Sequence, residues 1–237
     1  MKVKGGKSIY GASVGILMLE AQFPRIPGDM GNALSWPFPV LYKVVRDASP
    51  HRVVRNSAEG LLPAFIDAGR ELIRDGADGI TTNCGFLALF QDELAQALEV
   101  PVATSSLMQV ALVNSILPPG KRAGILTISA PMLSAEHLRK SRCPEDTPVG
   151  GTAEQGEFSQ SILNNLLELD IDQARIENIE AACDLVNQHP DIGAVVLECT
   201  NMIPYAADIR EAIGLPVFSI YSFVNWFQQG LQPRKTF

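Results

Sequence analysis

Cysteine is scarce, with four in 237 residues. That is too few for a disulfide scaffold and fits a chain that keeps its thiols reduced, which implies a cytoplasmic protein. Histidine is scarcer still: His51, His137 and His189 are scattered without ligand spacing, so no metal site is expected. Basic residues are outnumbered 19 to 26, giving a net charge of −7 and a pI near 5.0. A basic face for nucleic acid or an anionic membrane surface is therefore not expected. No apolar run approaches the roughly 20 residues that span a bilayer. The dinucleotide-binding and P-loop glycine patterns are both absent. Lys2, Lys4 and Lys7 ahead of the apolar run 9–19 superficially resemble a secretion signal. Gly11 and Gly15 interrupt that run, however, and Ala21-Gln22-Phe23 is a poor cleavage site, so the segment reads as a first buried strand behind a polar tail.

What the chain does have is 46% hydrophobic residues, ample for a core, arranged as alternating strand-like and helix-like segments. Strands are expected at 13–19, 40–45, 79–83, 100–104, 123–127, 193–198 and 215–220, with a weak one at 149–152. Helices are expected at 60–74, 86–98, 107–117, 132–140, 158–167, 172–188, 205–213 and from 222 onward. In 60–74, Leu61, Leu62, Phe65, Ile66, Leu72 and Ile73 share one face, and Pro63 is tolerable in the first turn. Strand–helix alternation at these lengths implies parallel sheets covered on both faces. The expected fold is α/β, two pseudo-symmetric doubly wound parallel-sheet sub-domains with the active site in the cleft between them. Residues 1–117 form the first lobe, joined by the C-terminal helix 222–237, and 118–221 form the second, with Pro118-Pro119-Gly120 as linker.

The two halves repeat one setting. Gly79-Ile80-Thr81-Thr82-Asn83-Cys84 overlays the segment from Gly193 to Cys199 with the cysteines in register, 115 residues apart. The match continues without a gap to Val100-Pro101-Val102-Ala103-Thr104 against Leu215-Pro216-Val217-Phe218-Ser219. Each copy reads as an apolar strand, a cysteine at its C-terminal end, a helix, and a short strand opened by proline. Strand ends in α/β proteins meet the ligand crevice, and the positive end of a following helix favours a thiolate. Two thiols facing one substrate could take a proton from one side of a carbon and return one from the other, with neither metal nor organic cofactor. Cys84 and Cys199 are the candidate acid and base. Thr82, Asn83, Gly85, Thr104, Ser129, Thr200 and Asn201 lie at the same edge and could hold a carboxylate and the charge developing beside it. They could equally be helix caps. Arg25, in the Pro/Gly-rich loop after the first strand, could pair with a substrate carboxylate. Cys143 and Cys183 have no counterpart in the repeat and read as packing residues.

Gly15-Ile16-Leu17-Met18, Thr82-Asn83-Cys84-Gly85, Gly124-Ile125-Leu126-Thr127 and Glu198-Cys199-Thr200-Asn201-Met202, in this order and spacing, resemble the aspartate/glutamate/hydantoin racemase superfamily. The resemblance implies a cofactor-independent (PLP-independent) isomerase with Cys84 and Cys199 as the proton-transfer pair, a small carboxylate substrate, and a homodimer. Gly85-Phe86 stands where glutamate racemases have Asn-Thr, and Asn201 where they have histidine. The expectation is an amino-acid racemase of aspartate/glutamate type. The alternatives are a hydantoin racemase, a maleate cis-trans isomerase, or a non-catalytic two-lobed small-molecule binding protein. A redox pairing of Cys84 with Cys199 is a further rival.

Overall fold

The first strand sets the plan of the molecule: every residue of β1 (Val14–Leu19) is buried, as a strand covered on both faces must be. In the computed structural model, which describes residues 2–233, the elements that follow β1 are β2 (Val40–Val45), α1 (Pro50–Arg55), α2 (Leu62–Asp75), β3 (Gly79–Thr82), α3 (Gln91–Leu98), β4 (Val102–Ala103) and α4 (Val110–Ile116). The second half contains β5 (Arg122–Thr127), α5 (Ala135–Lys140), β6 (Val149–Gly151), α6 (Glu157–Leu163), α7 (Ile171–Gln188), β7 (Ile192–Leu197), α8 (Ala206–Ile213), β8 (Val217–Phe218) and α9 (Ile220–Leu231). Residues 234–237, the end of the terminal helix expected at 222–237, lie outside the described residues.

Two four-stranded sheets result, ordered β2-β1-β3-β4 and β6-β5-β7-β8, with every pairing among the described residues parallel. The two orders are the same pattern, so the internal repeat in the sequence is a repeat of topology. In each sheet the chain reverses its winding between the first and third strands, β1/β3 and β5/β7. That is the point where an open α/β sheet leaves a crevice at its carboxyl edge. Cys84 follows β3 and Cys199 follows β7, so each cysteine stands at the switch point of its own sheet.

Helix starts follow their caps. Asp170 accepts from the Asp172 and Gln173 amides to open α7, and Ser219 with Ser222 forms a capping box that opens α9. The amphipathic helix expected at 60–74 is α2, which buries Phe65, Ala68 and Leu72. The exposed groups of α9 face away from a small core that its Phe223, Val224 and Phe227 share with Val14, Ile16 and Met18, so the last helix packs on the first sheet.

The structure departs from the sequence reading in several places. The strand expected at 100–104 is only Val102–Ala103, because Ser105 already caps the turn that follows. The short helix α1 was not expected; Ser49 caps it and Pro50 starts it. The helix expected at 158–167 ends at Leu163, and Asn165 turns the chain in the left-handed region at φ 56°. The strand expected at 215–220 is only Val217–Phe218, because Ser219 already caps α9. Finally, each cysteine is followed first by a 3₁₀ turn, Gly85–Phe90 and Thr200–Tyr205, and only then by α3 and α8. In the second turn Pro204 has no N–H with which to extend an α-helical ladder.

The lobes meet along those cysteine turns. The Thr200 hydroxyl donates to the Asn83 carbonyl at 2.6 Å, and the Ser106 hydroxyl donates to the Leu197 carbonyl at 2.6 Å. One continuous apolar core runs through this seam from Leu17 and Ile80 to Ile125 and Val196.

Candidate functional site

Cys84 and Cys199 each occupy the N-cap position of their 3₁₀ turn with extended backbone, φ −150° and −73°. Both line one cavity at the seam, whose wall also includes Arg25, Asn83, Gly85, Glu198, Thr200 and Asn201. The remaining wall is apolar: Leu19, Phe23, Pro50, Val54, Phe86, Ile128, Ile162 and Leu163. The free volume is about 20 Å³, room for a single water. A substrate therefore enters only if the wall moves. The loop between β1 and β2 carries two of the wall residues, Phe23 and Arg25.

That loop is held by a short list of bonds. The Asn165 side-chain oxygen accepts from the Gln22 and Phe23 amides at 2.6 and 3.2 Å. Asn201 donates to Asp29 at 2.6 Å, and Asp29 also accepts from Arg25 at 2.9 Å. Gly28, at φ 98°, lies so close to Pro204 that a Cβ would sit 3.3 Å from its Cα. The Arg25 guanidinium also stacks 4.6 Å above the Phe23 ring. Its Nη1 is used by Asp29, whereas its Nη2 is buried without a partner.

The thiols do not behave as the sequence suggested. Proximity to a helix start was expected to lower them; instead burial, with the Glu198 charge adding to it, pushes Cys84 up to about 12. Burial and Glu198 likewise hold Cys199 well above the ordinary thiol range. The lowering contributions are present but smaller: the Phe86 and Leu87 amides and the Arg25 charge act on Cys84, and the Asn201 amide acts on Cys199. Both thiols are thus held toward their protonated forms at neutral pH. Both are free, as are Cys143 and Cys183.

The residues grouped at the strand edge by sequence separate into two sets. Asn83, Gly85, Thr200, Asn201 and Arg25 reach the cavity with the two cysteines. Thr82, Thr104 and Ser129 do not line it. The Thr82 hydroxyl donates to the Thr104 and Cys84 carbonyls at 2.7 and 3.0 Å, which fixes the turn on which Cys84 sits. The Thr104 hydroxyl donates to Gln91 at 2.7 Å. Ser129, at 1% exposure, occupies the N-cap position of the turn after β5, but its hydroxyl makes no capping bond and is buried without a partner. Asn83 contributes from behind the wall as well: its side-chain oxygen accepts from the Leu19 amide at 2.7 Å and ties β1 to β3.

Sequence reading missed Glu198 as a site residue. It is 0% exposed, it lines the cavity, and it lies between the two cysteine turns. It is the chain neighbour of Cys199, and its Oε1 is 2.1 Å from the position a Cβ on Gly85 would take. One carboxylate oxygen accepts from the Thr127 hydroxyl at 2.6 Å, and Oε1 has no partner. Burial pushes its carboxyl up to about 7, against the lowering by Thr127. An acidic residue closing an apolar strand was the available signal, since a carboxylate there has to be buried. Among the described residues, no group of three or more His, Cys, Asp or Glu side chains could hold a metal ion, and no helix is long and apolar enough to cross a membrane.

No protein-family model matches the chain. It is similar over nearly its full length to a dimethylsulfoniopropionate lyase from Durusdinium sp. clade D, at 26% identity covering 94% of this chain and 76% of that protein. It is also similar to dimethylsulfoniopropionate lyase 7 of Emiliania huxleyi (strain CCMP1516), at 28% identity covering 95% and 69%. Among solved structures it is similar to arylmalonate decarboxylase, with TM-score 0.59 at 16% identity over 94% of both chains. A glutamate racemase isoform from Bacillus anthracis gives TM-score 0.58 at 15% identity over 92% and 82% of the two chains. The aspartate racemase of Picrophilus torridus gives 0.54 at 14% identity over 92% and 94%. The chain therefore has the two-lobed α/β fold of these decarboxylase and racemase structures.

Proposed function

We propose that this chain is a cofactor-independent enzyme in which the Cys84 and Cys199 thiols move a proton at the carbon next to a carboxylate, and that its reaction is elimination from a small carboxylate of the dimethylsulfoniopropionate type. The observation that carries the proposal is one cavity lined by both thiols, Cys199 buried and Cys84 half-buried, beside one unpartnered guanidinium nitrogen, Arg25 Nη2. Arg25 takes the substrate carboxylate, whose charge grows as the neighbouring carbon loses its proton. One cysteine, its own thiol proton having passed to water, accepts that proton as a thiolate, while the other thiol stays protonated and donates a hydrogen bond to the carboxylate on which the charge grows. The electron pair forms the new carbon–carbon double bond, the β-carbon–sulfur bond breaks, and the leaving sulfide departs neutral. The resulting thiol returns its proton to water. The amides of Phe86 and Leu87 lie where they stabilise a thiolate at Cys84, and the Asn201 amide does the same at Cys199. The names of the relatives support elimination over inversion, and the apolar wall of Phe23, Val54, Phe86 and Ile162 suits an alkylated sulfur.

A second reading keeps the thiols and changes the outcome. Equivalent placement of Cys84 and Cys199 in two like halves is what a racemase of aspartate or glutamate needs, because one thiol removes and the other returns the proton. One experiment separates the two. The protein is incubated in deuterated buffer with dimethylsulfoniopropionate and with each enantiomer of aspartate and glutamate, and followed by proton NMR. Release of dimethyl sulfide with acrylate supports elimination. Inversion with deuterium at the α-carbon of an amino acid replaces it with racemisation. Neither proton loss nor elimination with any of the five would refute the proposal.

A further inference from the structure

Two charged groups in the cavity are each left with one unused atom. Arg25 Nη2 has no acceptor, and Glu198 Oε1 has no donor. Both residues line the same small space, and the rest of the wall is thiols, amides and hydrocarbon. A buried carboxylate with an unmet oxygen is costly unless something positive comes to it. Among the described residues nothing does so: the other Glu198 oxygen receives only the neutral Thr127 hydroxyl, and Arg25 is engaged by Asp29. Gly85 leaves the room that Oε1 occupies, since a Cβ there would lie 2.1 Å from it. Glu198 is therefore built into the wall of the site with one unpartnered oxygen packed against Gly85, itself a lining residue.

We propose that Glu198 is the receptor for a cationic group on the substrate, so that the cavity selects a small zwitterion held by its carboxylate at Arg25 and by its onium or ammonium centre at Glu198. This rests on the reading of the cavity as the substrate site and adds to it the charge pattern of the ligand and the residue that reads it. The arrangement also links binding to chemistry. The Glu198 charge is one of the causes that hold both thiols high. A cation seated beside that carboxylate offsets its charge on Cys84 and Cys199, so the thiolate becomes accessible when the correct ligand is bound. A carboxylate ligand without the cation leaves the thiols as they are in the empty site.

The test uses ligands that cannot undergo β-elimination. Dimethylsulfonioacetate is a zwitterion, and 3-methylbutanoate is its uncharged-tail isostere of nearly the same shape. Binding of both is measured by calorimetry at pH 8 to the wild type and to Glu198→Gln, with circular dichroism confirming that the variant is folded. The expected result is a roughly 10- to 100-fold preference of the wild type for the zwitterion, and a preference near unity in Glu198→Gln. Equal binding of the two ligands by the wild type, or a preference that survives in Glu198→Gln, overturns the proposal. Should the variant not fold, the wild type alone decides. The zwitterion preference must grow as pH rises through about 7, where Glu198 ionises, and the isostere must not follow it. The other titratable groups facing the cavity are Cys84, Cys199 and Arg25, with Asp29 behind Arg25. A pH-independent preference refutes the assignment. Failure of turnover with an intact zwitterion preference would count against the elimination reaction alone, and turnover without any preference against Glu198 alone.

Discussion

Replacing Gly85 by alanine adds one methyl group at the tightest contact between the two lobes. The new Cβ would lie 2.1 Å from Glu198 Oε1 and 2.7 Å from its Cδ, and 2.5 Å from the Glu198 backbone carbonyl oxygen. The side chain could swing away only by leaving the Thr127 hydroxyl, a 2.6 Å bond to a carboxylate, which forfeits about 1.5–3 kcal/mol. The carbonyl cannot follow. The Glu198 amide is fixed to the Leu126 carbonyl at 2.8 Å, and the preceding carbonyl of Leu197 is held by Ser106. Forcing a methyl group into such a contact costs about 1–3 kcal/mol in its own right. Gly85→Ala is therefore expected to lose roughly 2.5–6 kcal/mol of stability. The assay is urea unfolding followed by circular dichroism, with the midpoint falling and the slope unchanged. Pairing the change with Glu198→Ala should recover part of the loss, because the side-chain clash goes while the carbonyl clash stays. A loss below about 0.5 kcal/mol, the scale of ordinary surface substitutions, would refute the packing argument.

Three other perturbations have defined outcomes. Glu198, raised from 4.5 to about 7 by burial, binds a proton in the folded chain that the unfolded chain has already lost between those values. Stability of the wild type relative to Glu198→Gln should fall by about 3 kcal/mol as pH rises from about 4.5 to 7.5, and parallel unfolding curves would contradict this. The measurement needs the variant as reference because His137, pushed down to about 4 by burial, gives a slope of opposite sign between about 4 and 6.5. Thr200→Val removes the donor to the buried Asn83 carbonyl at the lobe seam and should cost about 1–3 kcal/mol in the same unfolding assay; an unchanged midpoint would show that seam bond to be dispensable. Asn165→Gly keeps the left-handed backbone but removes the acceptor for the Gln22 and Phe23 amides. Amide exchange at those two positions should accelerate roughly tenfold, with exchange in β1 unchanged. Unaltered exchange at Gln22 and Phe23 would mean that the loop is held by other contacts.

Much of the architecture was legible because it is written in strong local patterns. The runs 14–19, 79–82, 122–127 and 192–197 are largely buried strands, and the repeated cysteine just past the end of two of them marks the switch points of two like sheets. What sequence pattern could not show is direction and distance across the seam. Thr82, Thr104 and Ser129 lie at the expected edge, yet the two threonine hydroxyls turn toward Thr104, Cys84 and Gln91 to hold backbone and amide groups, and the Ser129 hydroxyl is buried off the cavity without a partner. Whether a strand-end hydroxyl faces a ligand or braces a turn depends on one side-chain rotation, which carries no sequence signal. The thiol acidity was misread for a related reason. A helix start argues for a lowered thiol only where water or a cation reaches it, and here an apolar wall and the Glu198 carboxylate outweigh the Phe86, Leu87 and Asn201 amides. Glu198 was visible as an acid at the end of a buried strand, but its unfilled oxygen appears only once Gly85 of the other lobe is brought against it.

The central claim is that two thiols from the two halves act on one substrate in one cavity. It is tested most directly by Cys84→Ser and Cys199→Ser, each assayed by NMR for α-proton exchange in deuterated buffer and for release of dimethyl sulfide from dimethylsulfoniopropionate. Each serine variant is expected to fold as the wild type does and to lose activity by about 10²-fold or more. Retention of wild-type exchange and release in either variant would contradict the two-thiol account.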